Sequence, residues 1–199
     1  AVLQSQLENH ADPDRFREEV YGQIQRMNDI VSYQLSRAAR SGHALYSAPI
    51  GILPHAESIV SSLEKIYRSK GVLCEFEIDP KSQFSGELGD LQELLGNFLE
   101  NAFKWARQRV LLTVRPLYEP AAKRPGLFLC IEDDGAGIAP EDISKILQRG
   151  VRGDERVQGH GIGMAIVQDI IQSYGGQLAV DRSAELGGAR FTITLPCLS

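Results

Sequence analysis

The sequence predicts an α/β (α+β) two-layer sandwich preceded by an α-helical hairpin, and a change of hydrophobic rhythm near residue 43 is the first observation behind it. Before that point Phe16, Val20, Ile24, Met27, Val31, Leu35 and Ala38 step by three and four, as the buried seam of packed helices does. After it, short strand-like and helix-like segments alternate. A composition of 43% hydrophobic and 24% charged residues over 199 positions then suits a globular core with an appendage.

Each element has a local reason. Asp12-Pro13-Asp14 supplies a capping carboxylate and a first-turn proline, Ser41-Gly42 ends the helix, and Ala1 to Ala11 read as the tail of a preceding antiparallel helix. Residues 1–42 therefore form a hairpin whose seam it cannot bury itself. It either folds back onto its own domain or pairs with a second copy in a four-helix bundle, and the homodimer is the preferred reading. Residues 43–199 make the second domain, with a helix over Pro54 to Ser69, a strand at Val72 to Ile78 and a helix at Glu87 to Trp105. Strands follow at Val110 to Arg115 and Leu127 to Glu132, then a loop region through about His160, a helix at Ile162 to Tyr174 and a final strand pair at Gln177 to Asp181 and Arg190 to Leu195.

The net charge of -5 and a sequence pI near 5.4 exclude broad nucleic-acid binding, which rewards clustered Lys and Arg. Cys74, Cys130 and Cys197 are too widely spaced for a thiolate zinc site and odd in number for a disulfide framework, so a reducing, cytoplasmic setting is expected. No apolar run reaches the ~18 residues of a membrane-spanning helix, and no signal peptide is visible. Because Ala1 to Leu7 read as the middle of a helix, the chain is expected to be a piece of a longer protein.

Three motifs carry chemistry. Asn97, Asn101 and Lys104 share one face of the predicted helix Glu87 to Trp105, opposite Leu91, Leu94, Leu95 and Phe98. Carboxamide oxygens can ligate Mg²⁺ and an ammonium can pair with phosphate, although a solvated polar face would look the same. Next, Ile131-Glu132-Asp133-Asp134-Gly135-Ala136-Gly137-Ile138 is a strand running into two carboxylates and glycines, suited to an exocyclic amine and a flat ring, or to an ordinary tight turn. The acidic ladder of an EF-hand is missing. Last, Gly159-His160-Gly161-Ile162-Gly163 opens a helix and offers backbone N–H groups to phosphate. Its glycine spacing and the charged loop before it do not fit a dinucleotide fingerprint.

Taken in this order, and with Gly187-Gly188-Ala189-Arg190-Phe191 near the end, the motifs closely resemble the N, G1, G2 and last glycine boxes of sensor histidine kinases, a family grouped with gyrase, heat-shock and mismatch-repair ATPases. The likeness covers nearly the whole chain and implies the sandwich fold of that ATPase group, with ATP and Mg²⁺ as cofactors. By resemblance Asp133 accepts from the adenine amino group, Gly135, Gly137 and Ile138 shape that pocket, and Trp105 lies near the nucleotide. Asn97 and Asn101 hold Mg²⁺, Lys104 and Arg152 offset phosphate charge as the catalytic cations, and Gly159, His160, Gly161 and Gly163 border the phosphates. Ala139 to Gly159 would be a mobile lid, with Arg156 a second candidate arginine, His160 standing where relatives have Gln and Leu147 where Phe is expected.

The resemblance further implies transfer of the γ-phosphoryl group to a histidine on the stem and then to an aspartate of a response regulator. None of His10, His43, His55 and His160 has the sequence context of that acceptor, so this chain is expected to bind ATP without phosphorylating itself. The parent is expected to be a bacterial inner-membrane sensor with this portion in the cytoplasm. Two competing readings are a related hydrolytic ATPase, for which Glu100 would be the candidate base, and a non-catalytic module that docks a response regulator.

Overall fold

The computed structural model describes residues 48–148 and 162–198. The hairpin expected over residues 1–42 and the lid segment 149–159 lie outside the described residues. A short strand β1 (Ile50–Gly51) leads into helix α1 (Leu53–Ile66), which opens with Pro54 and buries Ala56, Val60 and Leu63 along one stripe. A single 3₁₀ turn (Arg68–Lys70) closes on Gly71, where the sequence had suggested that the helix runs on to Ser69. Strand β2 (Leu73–Ile78) follows, and β3 (Gln83–Phe84) pairs antiparallel with β1. That two-residue ladder carries no periodic signal and was not foreseen.

Helix α2 (Leu88–Trp105) buries Leu91, Leu94, Leu95, Phe98, Leu99, Ala102 and Phe103, so its apolar stripe is the whole core-facing side. Strands β4 (Arg109–Leu117) and β5 (Gly126–Asp133) come next, then helix α3 (Pro140–Gln148), helix α4 (Ile162–Ser173), and strands β6 (Gln177–Arg182) and β7 (Ala189–Leu195). Helix α3 corrects the expectation of a continuous loop between β5 and His160. Its reason was legible: Pro140 opens it and Glu141 and Asp142 fill its first turn, where carboxylates suit the helix dipole.

The five-stranded sheet runs β2-β4-β5-β7-β6. Only β2 and β4 are parallel, joined by α2 as the crossover, and the remaining pairs are antiparallel. Strand β7 alternates strictly, with Phe191, Ile193 and Leu195 buried toward the helices and Arg190, Thr192 and Thr194 on the other face. Helices α1 and α4 flank α2 on the apolar face of the sheet, which gives two layers. The Tyr174 hydroxyl pins the end of α4 to the start of α2, donating to Asp90 Oδ2 at 2.7 Å and accepting from Glu87 N at 3.1 Å. Among the described residues no helix is long and apolar enough to cross a membrane.

Candidate functional site

The site grows from the end of β5. Asp133 pairs with Val110 of β4 and, by strand alternation with Ile131, falls on the helix-facing side of the sheet, where it is 3% exposed. Its Oδ1 accepts from Gly135 N at 2.8 Å and from Ala189 N at 3.2 Å, while its own carbonyl accepts from Gly188 N at 3.0 Å. Among the described residues its Oδ2 has no hydrogen bond. Burial pushes the Asp133 carboxyl above the usual carboxylate range, against the pull of those two N–H donors and of the Lys70 ammonium.

Two glycines make this packing possible. A Cβ on Gly188 would overlap both Oδ1 and the carbonyl oxygen of Asp133, and one on Gly135 would overlap the carbonyl oxygen of Trp105. The end of α2, the turn after β5 and the β6–β7 loop therefore meet around one carboxylate. Gly137, at φ +78°, lies against the Gly188 carbonyl, and Ile138 beyond it is half-buried.

The neighbouring Asp134 has a different task. It accepts from Arg107 N at 2.7 Å and from Gln108 N at 3.1 Å, fastening the α2–β4 corner to the end of β5. Its partial burial acts upward, but the backbone donors outweigh it and hold its carboxyl below the usual range. Of the two adjacent acids, Asp133 is thus the one with an oxygen left over.

Asn97 and Asn101 are half-buried on the face of α2 away from its apolar stripe, and Lys104 is exposed one turn on. The Asn97 amide nitrogen donates to the Glu93 carbonyl at 2.9 Å and to Glu93 Oε2 at 3.0 Å. Its oxygen stands where a Cβ on Gly163 would be, so this glycine lets the start of α4 approach α2. Lys104 Nζ sits 5.4 Å from the ring centroid of Trp105, a side chain that is 51% exposed. Glu100 is exposed near Tyr67, whose hydroxyl is pushed up by burial and then by that charge.

The structure thus assembles Asp133 and Gly135 with the Trp105 backbone, sets Gly137 against Gly188, and brings Asn97 to Gly163, while Ile138 is half-buried beyond Gly137. Arg152, Arg156, Gly159, His160 and Gly161 lie outside the described residues. Two participants were not foreseen. Glu93 could have been read from its place one turn before Asn97. Lys70 could not, since its ammonium donates to the carbonyls of Phe103 and Lys104, both at 2.8 Å, from more than thirty residues away.

A sheet with helices on one face, a carboxylate at the end of an inner strand and two asparagines on the adjoining helix define a nucleotide-binding ATPase class. Residues 86–199 match the family described as histidine kinase-, DNA gyrase B-, and HSP90-like ATPases, and the chain belongs to that family. Within it, the sequence resembles the catalytic part of PhoQ-type sensor histidine kinases. It is 39% identical to the two-component sensor PhoQ of Pseudomonas aeruginosa, over 97% of this chain and 42% of that protein. It is 34% identical to the sensor protein PhoQ of Escherichia coli K12, over 86% of this chain and 34% of that one. The chain therefore spans less than half the length of these relatives. Among solved structures, the mycobacterial sensor histidine kinase MprB is similar at a TM-score of 0.58 and 27% identity, covering 76% of this chain and 97% of that one. Full-length ShkA, solved in complex with AMPPNP, is similar at a TM-score of 0.69 and 25% identity, over 94% of this chain and 38% of that one.

Proposed function

We propose that residues 43–199 are the ATP-binding catalytic domain of a membrane-anchored, two-component sensor histidine kinase, and that residues 1–42 are part of its dimerising stem. The domain delivers the γ-phosphoryl group of ATP to a ring nitrogen of a stem histidine, with a P–N bond forming as the β–γ P–O bond breaks and ADP leaves. The group then passes to an aspartate on a response regulator receiver domain.

The observation that carries this reading is the Asp133 carboxylate. It is buried, one oxygen is fixed by two backbone N–H groups, and the other is left to accept from an amine. An adenine amino group meets that need. Guanine presents a carbonyl at the same place, and two acceptors facing each other in a buried site are costly. The likeness to a relative solved with AMPPNP points the same way.

Asn101, with Asn97, would hold Mg²⁺ through carboxamide oxygens, hard donors that suit this ion, and Mg²⁺ would neutralise phosphate charge. Lys104 and Arg152 add positive charge. Gly159, His160, Gly161 and Gly163 would offer backbone N–H groups to the phosphates. Phosphoryl transfer asks mainly for positioning and charge neutralisation, so the domain binds ATP in full while the acceptor comes from elsewhere on the stem.

Calorimetric titration with ATP, with and without Mg²⁺, beside GTP, tests the reading. The chain is expected to prefer ATP, and Asp133→Asn to weaken it about tenfold or more, the loss of a hydrogen bond to a charged acceptor. Absence of ATP binding would instead favour a docking module. Steady release of phosphate by the isolated chain would favour a hydrolytic ATPase.

A further inference from the structure

Lys70 belongs to no motif, yet it reaches the candidate site from outside it. Its own backbone is fixed by the 3₁₀ turn, where Lys70 N donates to Tyr67 O at 2.9 Å and Gly71 N to Arg68 O at 3.2 Å. The side chain passes within 5.5 Å of the Tyr67 ring centroid. Its ammonium then donates to two carbonyls at the C-terminal end of α2, those of Phe103 and Lys104. These belong to the last turn, where carbonyls lack partners within the helix and the dipole is negative, so a cation is favoured there for both reasons.

The next carbonyl along, that of Trp105, is the one against which Gly135 packs, and Gly135 N is a donor to Asp133 Oδ1. A short chain of contacts thus runs from Lys70 through the helix end and the glycine turn to the carboxylate. We propose that Lys70 is a positioning residue for adenine recognition: by tying off α2 it fixes the turn that presents Asp133. The proposal rests on the ATP reading above.

Charge acts along the same line. Of the groups facing Asp133, Asp134 at the end of its own strand raises the carboxyl and Lys70 lowers it. The strand neighbours on either side, Val110 of β4 and Ala189 of β7, bring no charge, and the Lys104 ammonium at the end of α2 is held over the Trp105 ring. Removing the Lys70 charge therefore makes Asp133 easier to protonate, and a protonated acid no longer offers a carboxylate to the adenine amine.

The test is the pH profile of ATP affinity for the parent chain, Lys70→Met and Lys70→Arg, from the acid limit of the folded chain to about pH 8, with GTP alongside. In the Met variant ATP binding is expected to fall severalfold at the acidic end and much less at the alkaline end, with its midpoint moved to higher pH. The Arg variant, which keeps the charge and the donors, restores the parent profile. If Lys70→Met does not fold, Lys70→Gln takes its place, keeping a donor and removing the charge.

A variant that melts at a lower temperature but binds ATP with the parent's affinity and pH profile overturns the proposal and leaves Lys70 as a helix cap. So does an Arg variant that behaves like the Met variant. Failure of the parent chain to bind ATP at all overturns both this proposal and the reading beneath it, and so separates the two cases.

Discussion

The two ends of the candidate site are built from different materials. The end proposed for adenine is backbone: a buried carboxylate held by Gly135 N and Ala189 N, with Gly188 and Gly135 stripped to hydrogen so that three segments can touch. The end proposed for the phosphates, as far as it is described, is side chain: Asn97, Asn101 and Lys104 along a helix face that grades from half-buried to exposed. The contrast suits the two halves of ATP. A flat base is told from its rivals by fixed, dehydrated hydrogen bonds, where each mismatch leaves a buried group unpaired. A polyphosphate is charged and mobile, and solvated groups that move with it suit it better.

Replacing a glycine at each end should expose the difference most sharply. A methyl on Gly188 meets the backbone and carboxylate of Asp133, neither of which can move without undoing the β5–β7 ladder. Gly188→Ala is expected to lower stability by about 2 kcal/mol or more and to abolish measurable ATP binding, read by thermal melting and calorimetry. A methyl on Gly163 meets only the Asn97 side chain, which can rotate at the cost of its bonds to Glu93. Gly163→Ala is expected to melt near the parent temperature and to weaken ATP far less. Equal damage from the two would erase the comparison.

Acid should strike one end first. Burial raises the Asp133 carboxyl, so the folded chain takes up this proton more readily than the unfolded one. The sign follows for stability: this group favours folding most at low pH, and the benefit is lost as pH rises through its raised folded value. For ATP the sign is opposite, since the ionised form is the acceptor. Affinity is expected to fall by up to about tenfold per pH unit below the Asp133 titration, and Asp133→Asn to remove that slope while leaving overall binding weaker. Asp134, held low by its backbone donors, stays ionised across this range and supplies no competing transition.

Much of this was legible in the sequence because glycines, acids and asparagines in fixed order leave few alternatives. The strands that build the sheet were placed within a residue or two, since β4, β5 and β7 are short apolar or alternating runs bounded by turn residues. The role of Gly188 was readable only as part of a box. That its missing Cβ makes room for Asp133 is a tertiary fact, created by the β6–β7 loop closing over the end of β5. The resemblance singled out Asp133, but the part Asp134 plays at the α2–β4 corner was hidden, because two adjacent carboxylates look alike until alternation along β5 sends one inward. Lys70 illustrates the limit most plainly: a lysine in a 3₁₀ turn has no local reason to be anything but solvated. Only the packing of α1 and its following turn against α2 delivers its ammonium to the helix end.

The smallest expected effect sharpens the comparison from the phosphate side. Lys104 is exposed, so water and salt screen its attraction for phosphate, and a pair of exposed opposite charges is worth at most about 1 kcal/mol. Lys104→Met removes the ammonium and keeps the length of the side chain over Trp105, while the backbone carbonyl that Lys70 uses is untouched. ATP is expected to bind about two- to fivefold more weakly at low salt, with the difference shrinking as salt is raised, and adenosine, which has no phosphate, to bind as before. Titrating ATP and adenosine at two ionic strengths checks this. If adenosine weakens as much as ATP, Lys104 acts through the Trp105 ring at the adenine end, and the boundary between the two halves of the site moves by one turn of α2.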